Sequence, residues 1–163
     1  MPAKKKPAKK AKKKAPGRTA VPKGYHAVTP SVNVADAGQM MAFCKQAFGA
    51  KVEMSVPGRS GKIMHAEIRI GDSVVMLSDA VDRPAQPGGF FLYVADVDKT
   101  CAKAEQAGGT VVMPPQDMFW GDRFANVMDA QGNSWGIATR RENLTPREMK
   151  KRSAAFLASL PPS

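Results

Sequence analysis

The sequence predicts an α+β fold, two βαβββ modules joined around a shared curved-sheet cleft and followed by a C-terminal helix. Three observations carry this. The chain repeats itself at a spacing of 60 residues, each repeat has the punctuation of a strand, a helix and further strands, and the basic residues are concentrated at one end.

The basic end comes first. Of 25 Lys and Arg residues, ten lie in residues 1–24, which hold no acid, so the net charge of +11 belongs to that segment and the remainder is nearly neutral. The segment MPAKKKPAKKAKKKAPGRTAVPKG is built from Lys, Ala and Pro. It is too poor in apolar groups to offset its ordering entropy, and its prolines interrupt helix, so it is expected to be a disordered arm. Lys4, Lys5, Lys6, Lys9, Lys10, Lys12, Lys13 and Lys14 are its expected nucleic-acid contacts. Neutralising about eight phosphates releases counterions, which gives a log–log salt slope near −7 and no base selectivity. The bland alternative is a solubilising charge run without a partner.

The folded part is expected to span residues 25–143, with modules at 25–80 and 89–141. Val34, Ala35, Asp36, Ala42, Gln46, Ala47 and Gly49 recur as Val94, Ala95, Asp96, Ala102, Gln106, Ala107 and Gly109. In each copy a strand ends at an Asp suited to cap a helix, and the helix stops at a Gly suited to the left-handed C′ position. The first copy continues through KVEMSVP, the turn GRSG, the strand KIMHAEIRI, the turn Gly71-Asp72 and the strand SVVMLS. The second continues through TVVMPP, QDMFWGDRFANVMD, a turn at Gln131-Gly132 and NSWGIATR. Duplication of this kind is explained if neither half closes a core alone. In residues 144–163, Thr145, Pro146 and Glu148 spell a capping box with Pro at the first helical position. Met149, Phe156, Leu157 and Leu160 then fall near one face of a helix docked on the domain or on a second subunit.

No apolar run reaches the length of about 18 residues needed to span a bilayer. Cys44 and Cys101 lie in helical segments without metal-ligand spacing, so reduced, partly buried thiols are expected. Together these predict a soluble cytoplasmic protein, or a nucleoid-associated one if the arm engages DNA. The methionines at 40, 41, 54, 64 and 76 read as core filling.

Site candidates come from alternation. His65, Glu67 and Arg69 share one face of their strand, and Met64, Ala66, Ile68 and Ile70 share the other. If the polar face lines the cleft, His65 and Glu67 form an acid/base pair and Arg69 contacts ligand; if it faces solvent, they are ordinary surface residues. The stretch DMFWGDRF gathers Trp120, Asp122 and Arg123 among aromatics, a set suited to a planar or anionic molecule; the competing reading is an Asp–Arg pair pinning a loop. Phe91 and Trp135 complete the expected ligand-binding set. His26 reads as a boundary residue. Gly136, bare beside Trp135 in a strand, marks a bulge or a close approach.

The motifs AFCKQAFGAKVE, GKIMHAEIRIGDSVVMLSD, LYVADVDK, WGDRFANVMDAQGNSWGIATR and ENLTPREMKKR resemble the vicinal oxygen chelate superfamily, most closely its PhnB-like or glyoxalase/bleomycin resistance-like branch. The resemblance runs from about Tyr25 to Arg152; the arm resembles linker-histone tails. It implies paired modules around a cleft, pairing of modules between subunits and hence a homodimer. Metal-using members place a ligand on the first strand and on a late strand of each module, commonly His, Glu, His and Glu. The matching positions here are Thr29 or a neighbour, His65 or Glu67, Gly89 or Phe90, and Gly136, of which only the second keeps a donor. The expectation is therefore a small-molecule-binding protein without metal or other cofactor, tethered to nucleic acid. The alternatives are a metal-dependent lyase or dioxygenase of the superfamily and a nucleoid-associated sensor.

Overall fold

The computed structural model describes residues 20–161, so the arm lysines Lys4 to Lys14 lie outside the described residues. The elements are β1 (Ser31–Val34), α1 (Ala37–Phe48), β2 (Lys51–Pro57), β3 (Ile63–Ile70), β4 (Ser73–Asp79), β5 (Gly89–Tyr93), α2 (Val97–Gln106), β6 (Thr110–Asp117), β7 (Asp122–Met128), β8 (Ser134–Arg140) and α3 (Pro146–Ser159). They form two four-stranded sheets, ordered β1-β4-β3-β2 and β5-β8-β7-β6. In each sheet the first strand pairs parallel with the last, and the other pairs are antiparallel. The expected βαβββ repeat is present twice.

The caps explain where the helices begin. Asp36 accepts from Gln39 N at 2.8 Å and Asp96 from Lys99 N at 3.0 Å, each satisfying an otherwise orphaned donor of the first turn. The helix ends differ in register. Gly49 takes the left-handed conformation after α1 (φ 68°), but after α2 that role falls to Gly108 (φ 94°), one residue earlier than the repeat places it. Gly109 is bare for another reason: a Cβ there would lie 2.6 Å from Val127.

Strand alternation sends Ala66, Ile68, Val75 and Leu77 of the first sheet and Ala125, Val127, Trp135 and Ile137 of the second into one core cluster, shared with Met40, Phe43 and Cys44 of α1 and Val97, Cys101 and Ala104 of α2. Each sheet thus covers the helices with one face, here called inner, and turns its outer face away from the core. Cys44 and Cys101 are free and buried, and burial pushes the Cys44 thiol up to about 12. Met40 is buried as expected, whereas Met54 and Met64 are exposed. Met54 stands beside Glu67 in the β2–β3 register, on the outer face, where no helix covers it.

A knot of polar groups ties the β7–β8 turn to the core. Buried Asp129 accepts from Gln131 N, Asn133 N, the Asn133 side-chain amide and Trp135 Nε1, and Asn133 Oδ1 accepts from Gly88 N at 2.8 Å. Four donors leave that buried carboxylate satisfied. The helix α3 has its capping box, with Thr145 and Glu148 bonding reciprocally, but buries no residue. It is held by Phe156 stacked on Phe119 at 4.8 Å and by an Arg152–Glu142 ion pair.

Candidate functional site

Two side-chain clusters stand on the outer faces, one on each sheet. On the first, His65 Nε2 lies 3.0 Å from Glu67 Oε1, and the Tyr25 hydroxyl donates to Glu67 Oε2. Glu67 is buried although it stands on an outer face, because Tyr25 covers it and Met54 and Met76 flank it in the strand register. Hydrogen bonds from Tyr25 and then His65 hold the Glu67 carboxyl below its ordinary range, and the same contact raises the Tyr25 phenol. Glu67 is thus a fixed acceptor. It orients His65 with its Nε2–H toward the carboxylate, which leaves Nδ1 as the basic nitrogen.

Arg69 is engaged by neighbours within the domain. Its guanidinium closes on Glu53 at 2.5 and 2.8 Å and donates to the carbonyls of Gly24 and Asp72 at 3.1 and 3.2 Å. Together Glu67 and Arg69 fasten residues 24 and 25, where the arm joins the domain. Tyr25 was not legible as a site residue, because its only sequence neighbours are the arm and a turn.

The second cluster is aromatic. On the outer face of the second sheet, the register places Phe91 of β5 beside Gly136 of β8, which in turn pairs with Asn126 of β7. Phe91 stacks on Phe124 at 5.5 Å and 14°, and Tyr93 lies 5.3 Å from Phe91. Trp120 meets Phe124 at 5.9 Å, Phe119 meets Trp120 at 5.1 Å, and Phe156 of α3 completes the row. Phe91 is 53% and Tyr93 61% exposed, so the end of the row on β5 is open to solvent. Gly136 is bare because the stacked rings roof it: a Cβ would meet both Phe91 Cδ2 and Phe124 Cε2 at 3.0 Å.

At that open end Trp120 Nε1 donates to Asp122 Oδ2 at 3.0 Å and the Tyr93 hydroxyl donates to the same oxygen at 3.3 Å. Arg140 donates to the Tyr93 hydroxyl and to the Trp120 carbonyl, both at 3.2 Å. Asp122 is only 1% exposed. Arg140 Nε lies 3.0 Å from its Oδ1, but no N–H is aligned with that oxygen, which is left without a hydrogen bond.

The remaining expected ligand residues lie elsewhere. Arg123 stands on the helix-facing side, its fork closed on Asp98 at 2.8 and 2.7 Å with Asp117 nearby, as an ion pair that pins β7 to α2. Trp135 also points inward, stacked on Phe90 at 4.3 Å and packed against Phe43 and Phe48. It borders a cavity of about 770 Å³ between the modules, also lined by Phe48, Ile70, Phe90 and Leu92, with His26 and Asp72 among its polar residues; Phe91 and Tyr93, at the open end of the aromatic row, line it as well.

The positions matched to metal ligands resolve through the register. Gly136 pairs with Phe91, two residues beyond Gly89, and in the first sheet the corresponding pair is Met76 of β4 with Ser31 of β1. His65 and Glu67 stand on β3, one strand away from that pair. Ser31, Met76, Phe91 and Gly136 do not fit a divalent ion, and no group of three or more His, Cys, Asp or Glu residues able to hold one occurs among the described residues.

Residues 25–137 match the model of the glyoxalase/bleomycin resistance protein/dioxygenase superfamily, and the chain belongs to that superfamily. It is 37% identical over 123 residues to an uncharacterized protein of Mycobacterium tuberculosis (strain ATCC 25618 / H37Rv), Rv0887c, covering 68% of this chain and 72% of that protein. Among solved structures it is similar to TnmS3, an antibiotic binding protein from Streptomyces sp. CB03234 (26% identity, TM-score 0.58, covering 76% of this chain and 99% of that one). The fold is also that of TioX from Micromonospora sp. ML1 (22% identity, TM-score 0.58, covering 74% and 100%). Among the described residues no helix is long and apolar enough to cross a membrane.

Proposed function

We propose that this chain is a small-molecule-binding protein of the PhnB-like branch, that it works without a metal, and that its ligand is a planar aromatic molecule lying on the outer face of the second sheet. The observation that carries this is the row of rings ending in exposed Phe91 and Tyr93. Flat apolar surface of that kind offers offset stacking worth about 0.5–1.5 kcal/mol per ring pair beyond burial. The likeness to an antibiotic binding protein supports the reading.

A ligand on an open sheet face keeps one side in water. Both outer faces point away from the shared core and expose apolar groups, among them Met54, Val112 and Met128. A homodimer that sets the His65–Glu67 face of one copy against the aromatic face of another would enclose the ligand and give His65 a role as hydrogen-bond partner or base. The basic segment 1–24 adds nonspecific nucleic-acid binding and keeps the protein in the cytoplasm near the nucleoid.

The test is a fluorescence titration with N-phenyl-1-naphthylamine, a neutral planar probe. Phe91→Ser is expected to weaken binding about tenfold, the loss of one ring contact and its burial. Unchanged affinity would remove the aromatic face as the site.

A further inference from the structure

Three arginines stand within strands, and the structure gives them different jobs. Arg69 on β3 and Arg123 on β7 each close their fork on a carboxylate at 2.5–2.8 Å, so their hydrogen-bonding capacity is spent on Glu53 and Asp98. Arg140 on β8 is not closed in this way. Its contacts to the Trp120 carbonyl, the Tyr93 hydroxyl and the Glu142 carbonyl are 3.2, 3.2 and 3.5 Å, at or beyond the long end of the N–H···O range of about 2.7–3.2 Å, and all three acceptors are neutral. Its Nε–H fails to align on Asp122 Oδ1.

Placement adds a second argument. Arg140 Cζ lies 5.7 Å from the centre of the Tyr93 ring, at the open end of the aromatic row. The arginine side chain is 43% exposed, whereas its countercharge, Asp122, is buried beneath Trp120 and Tyr93. A molecule lying on Phe91 and Tyr93 therefore meets the guanidinium while the carboxylate stays out of reach, and it meets a guanidinium whose donors have only long or misaligned partners.

We propose that Arg140 sets the charge of the ligand: the planar molecule carries an oxyanion at its edge, a carboxylate, sulfonate or phenolate, which draws the Arg140 guanidinium away from its neutral partners. This rests on the aromatic face being the binding site. Arg123, the cation that the sequence associates with the aromatics, is turned to the inner face and cannot serve.

A matched pair of probes tests it on the full chain: 8-anilinonaphthalene-1-sulfonate and N-phenyl-1-naphthylamine share one ring system and differ by the sulfonate. The wild type is expected to favour the sulfonate about tenfold, as one charge-assisted contact allows. Arg140→Gln should reduce that preference about tenfold, weakening the sulfonate by that much more than the neutral probe, and Arg140→Lys should restore part of it. Because Arg140→Gln leaves Asp122 buried without its cation, the double variant Asp122→Asn/Arg140→Gln supplies a second reading with neither charge. The arm is the same in every variant, so any attraction it exerts on the sulfonate cancels. Equal affinities in the wild type, or a preference as large in both variants as in the wild type, would overturn the proposal. Phe91→Ser separates the two layers: weakening of both probes there, with no effect of Arg140→Gln, refutes the role of Arg140 alone, whereas no effect on either probe removes the aromatic face itself.

Discussion

Gly136 lies directly beneath Phe91, its partner in the β5–β8 register, and a Cβ at Gly136 would come within 3.0 Å of Phe91 Cδ2. The same Cβ would lie 3.0 Å from Phe124 on the other side. The bare position is what lets the two rings stack, so the glycine is a condition of the aromatic face.

Gly136→Ala is expected to push the Phe91 and Phe124 rings back by a few tenths of an ångström, at a cost toward the low end of the range of about 1–3 kcal/mol for overpacking a filled site. Urea denaturation reads the stability. Titration with N-phenyl-1-naphthylamine reads the platform, which should bind more weakly. A variant of wild-type stability and affinity would show that the rings do not depend on the gap.

The Tyr25–Glu67 contact gives stability a pH dependence with two edges. Glu67 is depressed, so its contribution is present above the ordinary carboxylate value of 4.5 and is lost as the pH falls through the lower value it has when folded. Tyr25 is raised, so its contribution is present below 10.0 and is lost as the pH climbs through the higher value it has when folded. Tyr25→Phe should flatten both edges of a melting-temperature profile. Edges of undiminished height in that variant would assign the dependence to other groups.

Asp129→Ala is expected to cost about 3 kcal/mol, because it strands the Trp135 indole N–H without an acceptor inside the core and leaves the Asn133 side-chain amide only the weakly accepting Met40 sulfur. Chemical denaturation measures it, and near-ultraviolet circular dichroism should lose the signal of an immobilised Trp135. A loss below about 1 kcal/mol would mean that water or a neighbour replaces the carboxylate.

Removal of residues 1–23 is expected to abolish binding to double-stranded DNA, and the intact chain should show a log–log salt slope near −7, as about eight neutralised phosphates require. Equal DNA affinity with and without the arm would end the tether reading.

Much of the fold was legible because it rests on local signals. Asp36, Asp96 and Thr145 cap helices as their positions in the sequence imply, and Gly71 and Gly132 take the left-handed conformation their turns require. The slip from Gly109 to Gly108 was not legible, since two adjacent glycines satisfy the same punctuation and only the packing of Val127 separates them. The site was legible in part. Alternation put His65, Glu67 and Arg69 on one face, but the neighbours they bond to, Tyr25, Gly24 and Glu53, are 16 to 45 residues away or more locally silent. Arg123 stands in an aromatic-rich stretch that looks like a binding surface and Trp135 beside a bare glycine, and strand parity turns both of them to the inner face. Arg140 closes the motif WGDRFANVMDAQGNSWGIATR, but nothing in its spacing marks it as a site residue. Its position at the end of the row depends on β5, β7 and β8 lying side by side.

Phe91 and Tyr93 border both the outer aromatic face and the cavity that Trp135 and Phe48 line, and the proposed ligand lies on the outer side, against Phe124 and Arg140. A crystal structure of the protein with N-phenyl-1-naphthylamine tests it most directly. The naphthyl ring should stack on Phe91, within reach of Tyr93 and Arg140. A probe seated instead between Phe48, Leu92 and Trp135, with the Phe91 face bare, would contradict it.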